Sequence, residues 1–324
     1  MEMGEKKFRA KQVWEWLWKN GATSFEEMTN LSKATRYYLD DHFEIRHIVE
    51  DIRQESSDGT IKFRFRLHDG YLIESVLIPV AKEKRFTVCI SSQVGCAMGC
   101  AFCATGKMGQ KRNLDVGEIF DQFMMVSRAA AHPLTNIVFM GMGEPLLNYD
   151  NMMVAIDILS AKEGLGMSQR RMTLSTVGLT KPIMKMADSG VRFNLAISLH
   201  AATDEKRNQI IPVNQTENLE KLMSSLAYFY EKTKNKITFE YIAFERFNDT
   251  VEDARHLMKL CRTFPVKVNI IEYNQVDGVE LKGTQEKRLN LFAKYLADAG
   301  VRVTIRRSRG KDIDAACGQL ANKN

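Results

Sequence analysis

The sequence predicts an α/β protein built as an open or partial barrel of about six β/α units, preceded by a small helical module and a β-hairpin. Two observations carry this expectation. From about Arg85 onward, short β-branched and aromatic runs alternate with amphipathic stretches, and the polar, chemistry-bearing residues fall at the ends of those runs. Alternation of this kind implies parallel strands with right-handed crossovers, whose ligand sites gather at the strands' carboxyl ends.

Residues 1–42 read as helical: Phe8, Val13, Trp14, Leu17 and Trp18 form an apolar stripe that Asn20-Gly21 ends. We read the tryptophans as core. Residues 43–80 turn strand-like, with an Asp-Gly turn between two alternating runs in IKFRFRLHDGYLIESVLIP. The remainder, 81–324, is the barrel. Its strands are expected at FTVCI (86–90), NIVFMG (136–141), RMTLST (171–176), RFNLAIS (192–198), KITFEYIA (236–243) and VKVNIIEY (266–273). Helical stretches include 217–230 and 284–299, and a seventh strand, VRVTIR (301–306), follows. Six repeats fall short of a closed eight-unit barrel.

Composition narrows the class. A hydrophobic share of 44% and a charged share of 27% are those of an ordinary globular chain, which excludes a disordered one. No apolar run is long enough to cross a bilayer, and MEMGEKKFRAKQVWEW has no apolar signal-peptide core. The expected location is the cytoplasm, where clustered cysteines bind metal or do redox chemistry. The net charge of +6 is a mild pointer to a polyanionic partner. Arg302, Arg306, Arg307, Arg309 and Lys311 lie together with no acid among them. Taken alone such a strip reads as a solvated surface; beside the motifs below it suits a polyanion, whose phosphates it would neutralise without reading anything else.

Four of the six cysteines fall in CISSQVGCAMGCAFC, residues 89–103. Cys96, Cys100 and Cys103 are spaced C-x3-C-x2-C, one thiolate short of a closed four-ligand site. A structural zinc site wants a fourth Cys or His nearby, and no such pair follows. The better reading is a [4Fe–4S] cluster with one iron open to a non-protein ligand. GMGE (141–144) adds a glycine-rich turn that lets backbone approach a ligand, and Glu144 can accept from a cationic amine. Ser175, the run Ser198, Leu199 and His200, and Asn274 stand at later strand ends, each by itself more commonly a satisfied turn residue. Cys261, on an amphipathic helix, reads as a small core residue.

Cys96, Cys100, Phe102 and Cys103, at the end of a first barrel strand, resemble the signature of radical S-adenosylmethionine (SAM) enzymes. That resemblance implies that the open iron holds SAM, with Gly143 and Glu144 on its ammonium group and Ser175, Ser198, Leu199, His200 and Asn274 as further SAM contacts. It extends over nearly the whole chain. FRAKQVWEWLW, CISSQVGCAMGCAFCATG, GMGEPLLNY, LSTVGL, AISLHAATDEKRN, IPVN and IDAACGQL are similar to the rRNA and tRNA adenine-C2 methyltransferase family. The resemblance implies methylation of an adenosine at the peptidyl-transferase centre of large-subunit rRNA and of the adenosine beside the anticodon in tRNA. It makes Cys317 the residue that carries the methyl group, Cys89 the thiol that releases the product, and Glu74 the proton-abstracting carboxylate. It further implies two SAM molecules per turnover, flavodoxin or ferredoxin as electron donor, a monomer, and RNA contact by the N-terminal module, which holds nine acids against eight Lys/Arg in residues 1–50. Two rivals stand beside it. A sister branch that methylates adenine C8 shares every catalytic residue, with Pro145 and LLNY favouring C2. A non-catalytic RNA-binding metalloprotein would leave Cys89 and Cys317 without a task.

Overall fold

The computed structural model describes residues 6–323, so the first five residues of the N-terminal module lie outside the described residues. Helix α1, Phe8–Glu15, widens into a π-helical turn, Trp16–Asn20, which Gly21 ends at φ +62°. Helix α2, Lys33–His42, starts on Ser32, whose hydroxyl accepts from the Thr35 N–H. Of the apolar stripe, Phe8 is exposed, whereas Val13 and Leu17, joined by Trp16, pack half-buried on Phe25, Met28 and Leu31, and Trp18 meets Phe120 edge-on at 5.1 Å.

Residues 43–80 hold three strands, β1 (Val49–Glu55), β2 (Ile61–Arg66) and β3 (Leu72–Val80), all antiparallel, with the expected hairpin between the last two. Then follow β4 (Arg85–Cys89), β5 (Gln93–Gly95), α3 (Ala104–Lys107), β6 (Gln110–Asn113), α4 (Val116–Ala129) and β7 (Asn136–Phe139). Next come α5 (Tyr149–Ser160), β8 (Met172–Thr176), α6 (Thr180–Asp188), β9 (Asn194–Ser198), α7 (Asp204–Ile210) and α8 (Leu219–Thr233). The chain closes with β10 (Ile237–Ala243), α9 (Val251–Leu260), β11 (Val266–Glu272), α10 (Glu286–Asp298) and β12 (Arg302–Arg306). Every strand read from the sequence is present.

One sheet of ten strands runs in the order β1-β2-β3-β4-β7-β8-β9-β10-β11-β12. From β4 onward all neighbours are parallel and in chain order, the winding of a partial barrel rather than of a doubly wound sheet. Side chains alternate across each strand. Leu174, Leu195, Ile197, Phe239, Tyr241, Val268 and Ile270 are fully buried in the main apolar core. The opposite face, with Thr173, Asn194, Thr238, Glu240 and Asn269, lines the lumen. The short β5–β6 ribbon flanks the cysteine loop and was not foreseen, because three residues carry too little pattern to read.

The carboxyl ends of the central strands are tied together by Arg207, which is 0% exposed. Its guanidinium donates to the carbonyls of Val177 (2.5 Å), Ser198 (3.2 Å) and Leu199 (3.1 Å) and to Asn214 Oδ1 (2.6 Å). Burial lowers its pKa to about 10, so it stays charged at neutral pH. Replacing it with Met strands those acceptors in the interior. We expect Arg207→Met to lose about 3–5 kcal/mol of unfolding free energy, measured by urea denaturation.

Candidate active site

Above the carboxyl ends of the strands lies a cavity of about 140 Å³ that collects residues from the whole length of the chain. Cys96, Cys100 and Cys103 open on it from the loop after β5, and Cys317 opens on it from the C-terminal tail. Gly143, Glu144, Ser175, Ser198 and His200 form its far wall. Leu199, Asn274, Cys89 and Glu74 lie outside the lining.

Two glycines bring the GMGE turn hard against the first strand end. A Cβ on Gly141 would stand 2.6 Å from Ser91 Oγ and 2.8 Å from the Ile90 carbonyl carbon. Gly143 adopts φ +102°, and a Cβ there would meet Gln93 N at 2.8 Å. Glu144 follows, 3% exposed, with its N–H donating to Gln93 Oε1 at 2.8 Å. Its carboxylate accepts from the N–H groups of Leu146 (3.0 Å) and Val177 (2.9 Å). Burial outweighs those bonds and raises its pKa to about 7. An ionised Glu144 therefore lacks a cation, which is what an ammonium group arriving in the cavity supplies. His200 sits at φ +55° and stays neutral, because burial lowers its pKa to about 3. Its Nδ1 accepts from the Ile242 N–H at 3.0 Å, leaving Nε2 as the protonated nitrogen, and its ring meets Phe102 edge-on at 4.6 Å.

The three loop thiols test which metal group fits. Thiolates around a single zinc at 2.3 Å lie about 3.8 Å apart. Among the described residues no three Cys, His, Asp or Glu converge on one ion in that way. The thiols of Cys96, Cys100 and Cys103 nevertheless share one cavity and one electrostatic environment: burial raises the Cys100 pKa, and the other two thiols raise it further. Three soft ligands spread around a cavity fit a polynuclear iron–sulfur group.

Cys89 ends β4 and is buried, which pushes its thiol up to about 12. After burial, the strongest influence on it is the Cys317 thiol, 228 positions later in the sequence. Both are free thiols. Cys317 is exposed as a residue, but its thiol is crowded by the cavity wall; that desolvation raises its pKa, and the Arg306 guanidinium works against it. Asn274 reaches the same tail from below, donating to the Cys317 carbonyl at 3.4 Å. Glu74, 1% exposed, holds the end of the tail: its Oε2 accepts from the N–H groups of Ala321 (2.8 Å) and Asn322 (3.1 Å). Lys62 Nζ lies 3.3 Å from Oε1, which accepts no hydrogen bond.

The basic strip at 302–311 departs from the expectation of an open phosphate-binding face. Arg306 turns into the lumen against Glu240 at 3.3 Å. Arg307 pairs with Glu272 and Glu286, and Lys311 with Glu272 at 2.8 Å. Charge counting along the sequence misses these carboxylates because they come from other elements.

Comparison with known proteins decides the family. Residues 1–45 match the ribosomal RNA large subunit methyltransferase N-terminal domain, and residues 90–261 match the radical SAM superfamily. A probable dual-specificity RNA methyltransferase RlmN of Cytophaga hutchinsonii is 54% identical over 99% of this chain and 88% of its own length. The corresponding protein of Flavobacterium johnsoniae is 52% identical over 98% and 92%. This chain belongs to the RlmN family of dual-specificity radical SAM RNA methyltransferases. A solved radical SAM methyltransferase from Sphaerobacter thermophilus shares the fold with a TM-score of 0.94 at 38% identity, covering 99% of this chain and 95% of that one. Membership of the RlmN family brings with it a [4Fe–4S] cluster, SAM and an RNA substrate. No helix of the described residues is long and apolar enough to cross a membrane.

Sequence reading missed Gln93 and Arg207, which act through the backbone of Glu144 and Val177 and leave no spacing signature. Gly141 is one of the tightly packed supports of the site, and its backbone conformation itself is open to any residue. We expect Gly141→Ala to cost about 1–3 kcal/mol, read as a lower urea midpoint, because the atoms it meets are mostly backbone.

Proposed function

We propose that this enzyme methylates C2 of an adenosine in large-subunit rRNA and of the adenosine beside the anticodon in tRNA, through a methyl group carried on Cys317. The observation that carries the reading is that Cys317 lines the same cavity as Cys96, Cys100 and Cys103, 214 positions beyond the last of them in sequence. C2 of adenine lies between two ring nitrogens and is too electron-poor to attack a methyl sulfonium. A carbon carried on a protein sulfur divides the problem into two steps.

In this reading Cys96, Cys100 and Cys103 hold the cluster, and Glu144 at the Gly143 turn takes the SAM ammonium group. Ser175, Ser198, Leu199, His200 and Asn274 shape the rest of the SAM site. When bound, the cluster supplies the single electron that splits SAM to a 5′-deoxyadenosyl radical. The S-methyl group of Cys317 loses a hydrogen atom and its carbon bonds to C2. Glu74 accepts the C2 proton, once the tail that now occupies its Oε2 has shifted. After the radical adduct has returned one electron to the oxidised cluster, the Cys89 thiolate attacks the Cys317 sulfur. The C–S bond breaks with its electron pair on the methylene carbon, which takes up a proton to become the methyl group. The resulting Cys89–Cys317 disulfide is returned to two thiols by a dithiol reductant. Each turnover uses two SAM molecules, one for the methyl group and one for the radical. Flavodoxin or ferredoxin as donor, a monomeric state, the cytoplasm and RNA contact by residues 1–42 complete the proposal. The target base leaves its stack to reach the cavity.

Anaerobically purified protein is expected to be brown and to carry about four irons per chain; stoichiometric zinc without iron would overturn the cluster assignment. Cys317→Ala should abolish methyl transfer and leave no adduct, whereas Cys89→Ala should accumulate protein covalently bound to RNA through Cys317. Denaturing gels and mass spectrometry separate these outcomes. Normal turnover by Cys89→Ala, or adduct-free protein from both, contradicts the roles. Mass spectrometry of product nucleosides locates the methyl group on C2 or C8.

A further inference from the structure

We propose that the amino-terminal mouth of the barrel, at the opposite end of the lumen from the cysteines, is a binding site for a small phosphate-bearing anion that keeps a hydroxyl group. Barrel interiors of this architecture are ordinarily filled by bulky branched side chains. Here the inward positions at the lower end carry Arg85, Thr87, Asn136, Arg171, Thr173, Asn194, Lys236, Thr238, Lys267, Asn269 and Thr304, around a cavity of about 450 Å³. A lumen so lined is wet, and its polar groups need partners.

The charges do not balance within it. Arg85 pairs with Glu83 at 3.1 Å, and Arg306 with Glu240, the one carboxylate of the lining, at 3.3 Å. Arg171, Lys236 and Lys267 have no ion-pair partner among the described residues. Arg171 and Lys236 stand immediately before β8 and β10 and Lys267 stands on β11, all exposed around one opening, so their fields add at its centre and draw an anion. Register brings Lys267 opposite Thr238 on β10 and places Asn269 between Glu240 and Thr304.

Asn269 gives the ligand its second feature. It is 8% exposed, and its Nδ2 donates to Glu240 Oε1 at 2.7 Å, which fixes the orientation of the amide. Its Oδ1 has no donor and is closed to solvent, so a ligand hydroxyl reaches it only when the side chain shifts toward the cavity. An anion that satisfies this site therefore accepts from the cations and donates to Asn269. Hydrogen phosphate does both; sulfate has no proton to give. The pair Glu240 and Arg306, with Met140, lines both this cavity and the catalytic one, and so forms the partition between them. Inorganic phosphate and a hydroxyl-bearing phosphate ester offer the same chemistry.

The test is calorimetric titration of the full chain in chloride buffer with inorganic phosphate, glycerol 3-phosphate and sulfate. One saturable phosphate site is expected, with sulfate at least about tenfold weaker. Tighter binding of glycerol 3-phosphate would assign the site to an ester, and tighter binding of phosphate to the free ion. Lys236→Gln and Lys267→Gln should each weaken phosphate about tenfold, Lys267→Arg should retain it, and Asn269→Leu should erase the preference over sulfate. Unfolding midpoints of each variant exclude misfolding as the cause. Equal affinity for phosphate and sulfate, unmoved by the lysine substitutions, would overturn the proposal. So would displacement of phosphate by a short single-stranded RNA that depends on the same lysines, since the mouth would then be part of the RNA surface.

Discussion

The grip of Arg207 on the Val177 peptide sets the position of most of what surrounds the cavity. The Val177 carbonyl is held by the guanidinium from one side, and its N–H is held by the Glu144 carboxylate from the other. Glu144 is thereby fixed against the end of β8, and its own N–H is fixed by Gln93 at the start of the cysteine loop. The same guanidinium binds the carbonyls of Ser198 and Leu199, so the left-handed turn at His200 begins from a defined point. A buried guanidinium keeps its charge only while its N–H groups find acceptors. Three loops from three β/α units are therefore positioned by one requirement.

A second constraint comes from the lumen. In a packed barrel the inward and outward faces of each strand are both apolar, and strands read as unbroken hydrophobic runs. Here the outward face is buried under helices while the inward face is Thr, Asn, Lys, Arg and Glu. The strands consequently alternate in sequence although they are parallel. Polar walls leave room above for a cavity that accepts charged groups, and they explain why Arg306 reaches the neighbourhood of both Cys89 and Cys317 from the last strand.

This alternation is why the fold was legible. Runs such as RFNLAIS and KITFEYIA show the period of two and the flanking helices show the period of 3.6, so each β/α unit declares itself locally. The site was legible in part. The cysteine triplet and the glycine-rich turn are short motifs whose chemistry is contained in their own spacing, whereas the proximity of Cys89 to Cys317 entered through resemblance to a family. Nothing local in the sequence ties Glu74 to Ala321 and Asn322 or Arg307 to Glu272, because those contacts join segments far apart in the chain. The pairing of the basic strip has the same origin: five cations within ten residues describe an open phosphate-binding face only after the acids of other elements have been located.

The tail that carries Cys317 is fastened on both sides of it. Asp312 accepts from Ser56 (2.6 Å) and the Ser57 N–H (3.1 Å), and Ala321 and Asn322 are held by Glu74. Between those anchors the chain has a contour of only about 30 Å. A sulfur at midspan of so short a tether samples a small volume, close enough to Cys89 for the two thiols to influence each other electrostatically. The effective concentration of one thiol at the other is set by the tether and not by the cell, on the order of millimolar or above. Dissolved thiols reach the same sulfur only as visitors, at their bulk concentration and through the open side of the cavity. Ala104 and Thr105 hold the carbonyls of Gly318 and Leu320 as well, so it is loosening of the Asp312 anchor that would lengthen the tether and hand the contest to them, with the sulfur chemistry itself unaltered.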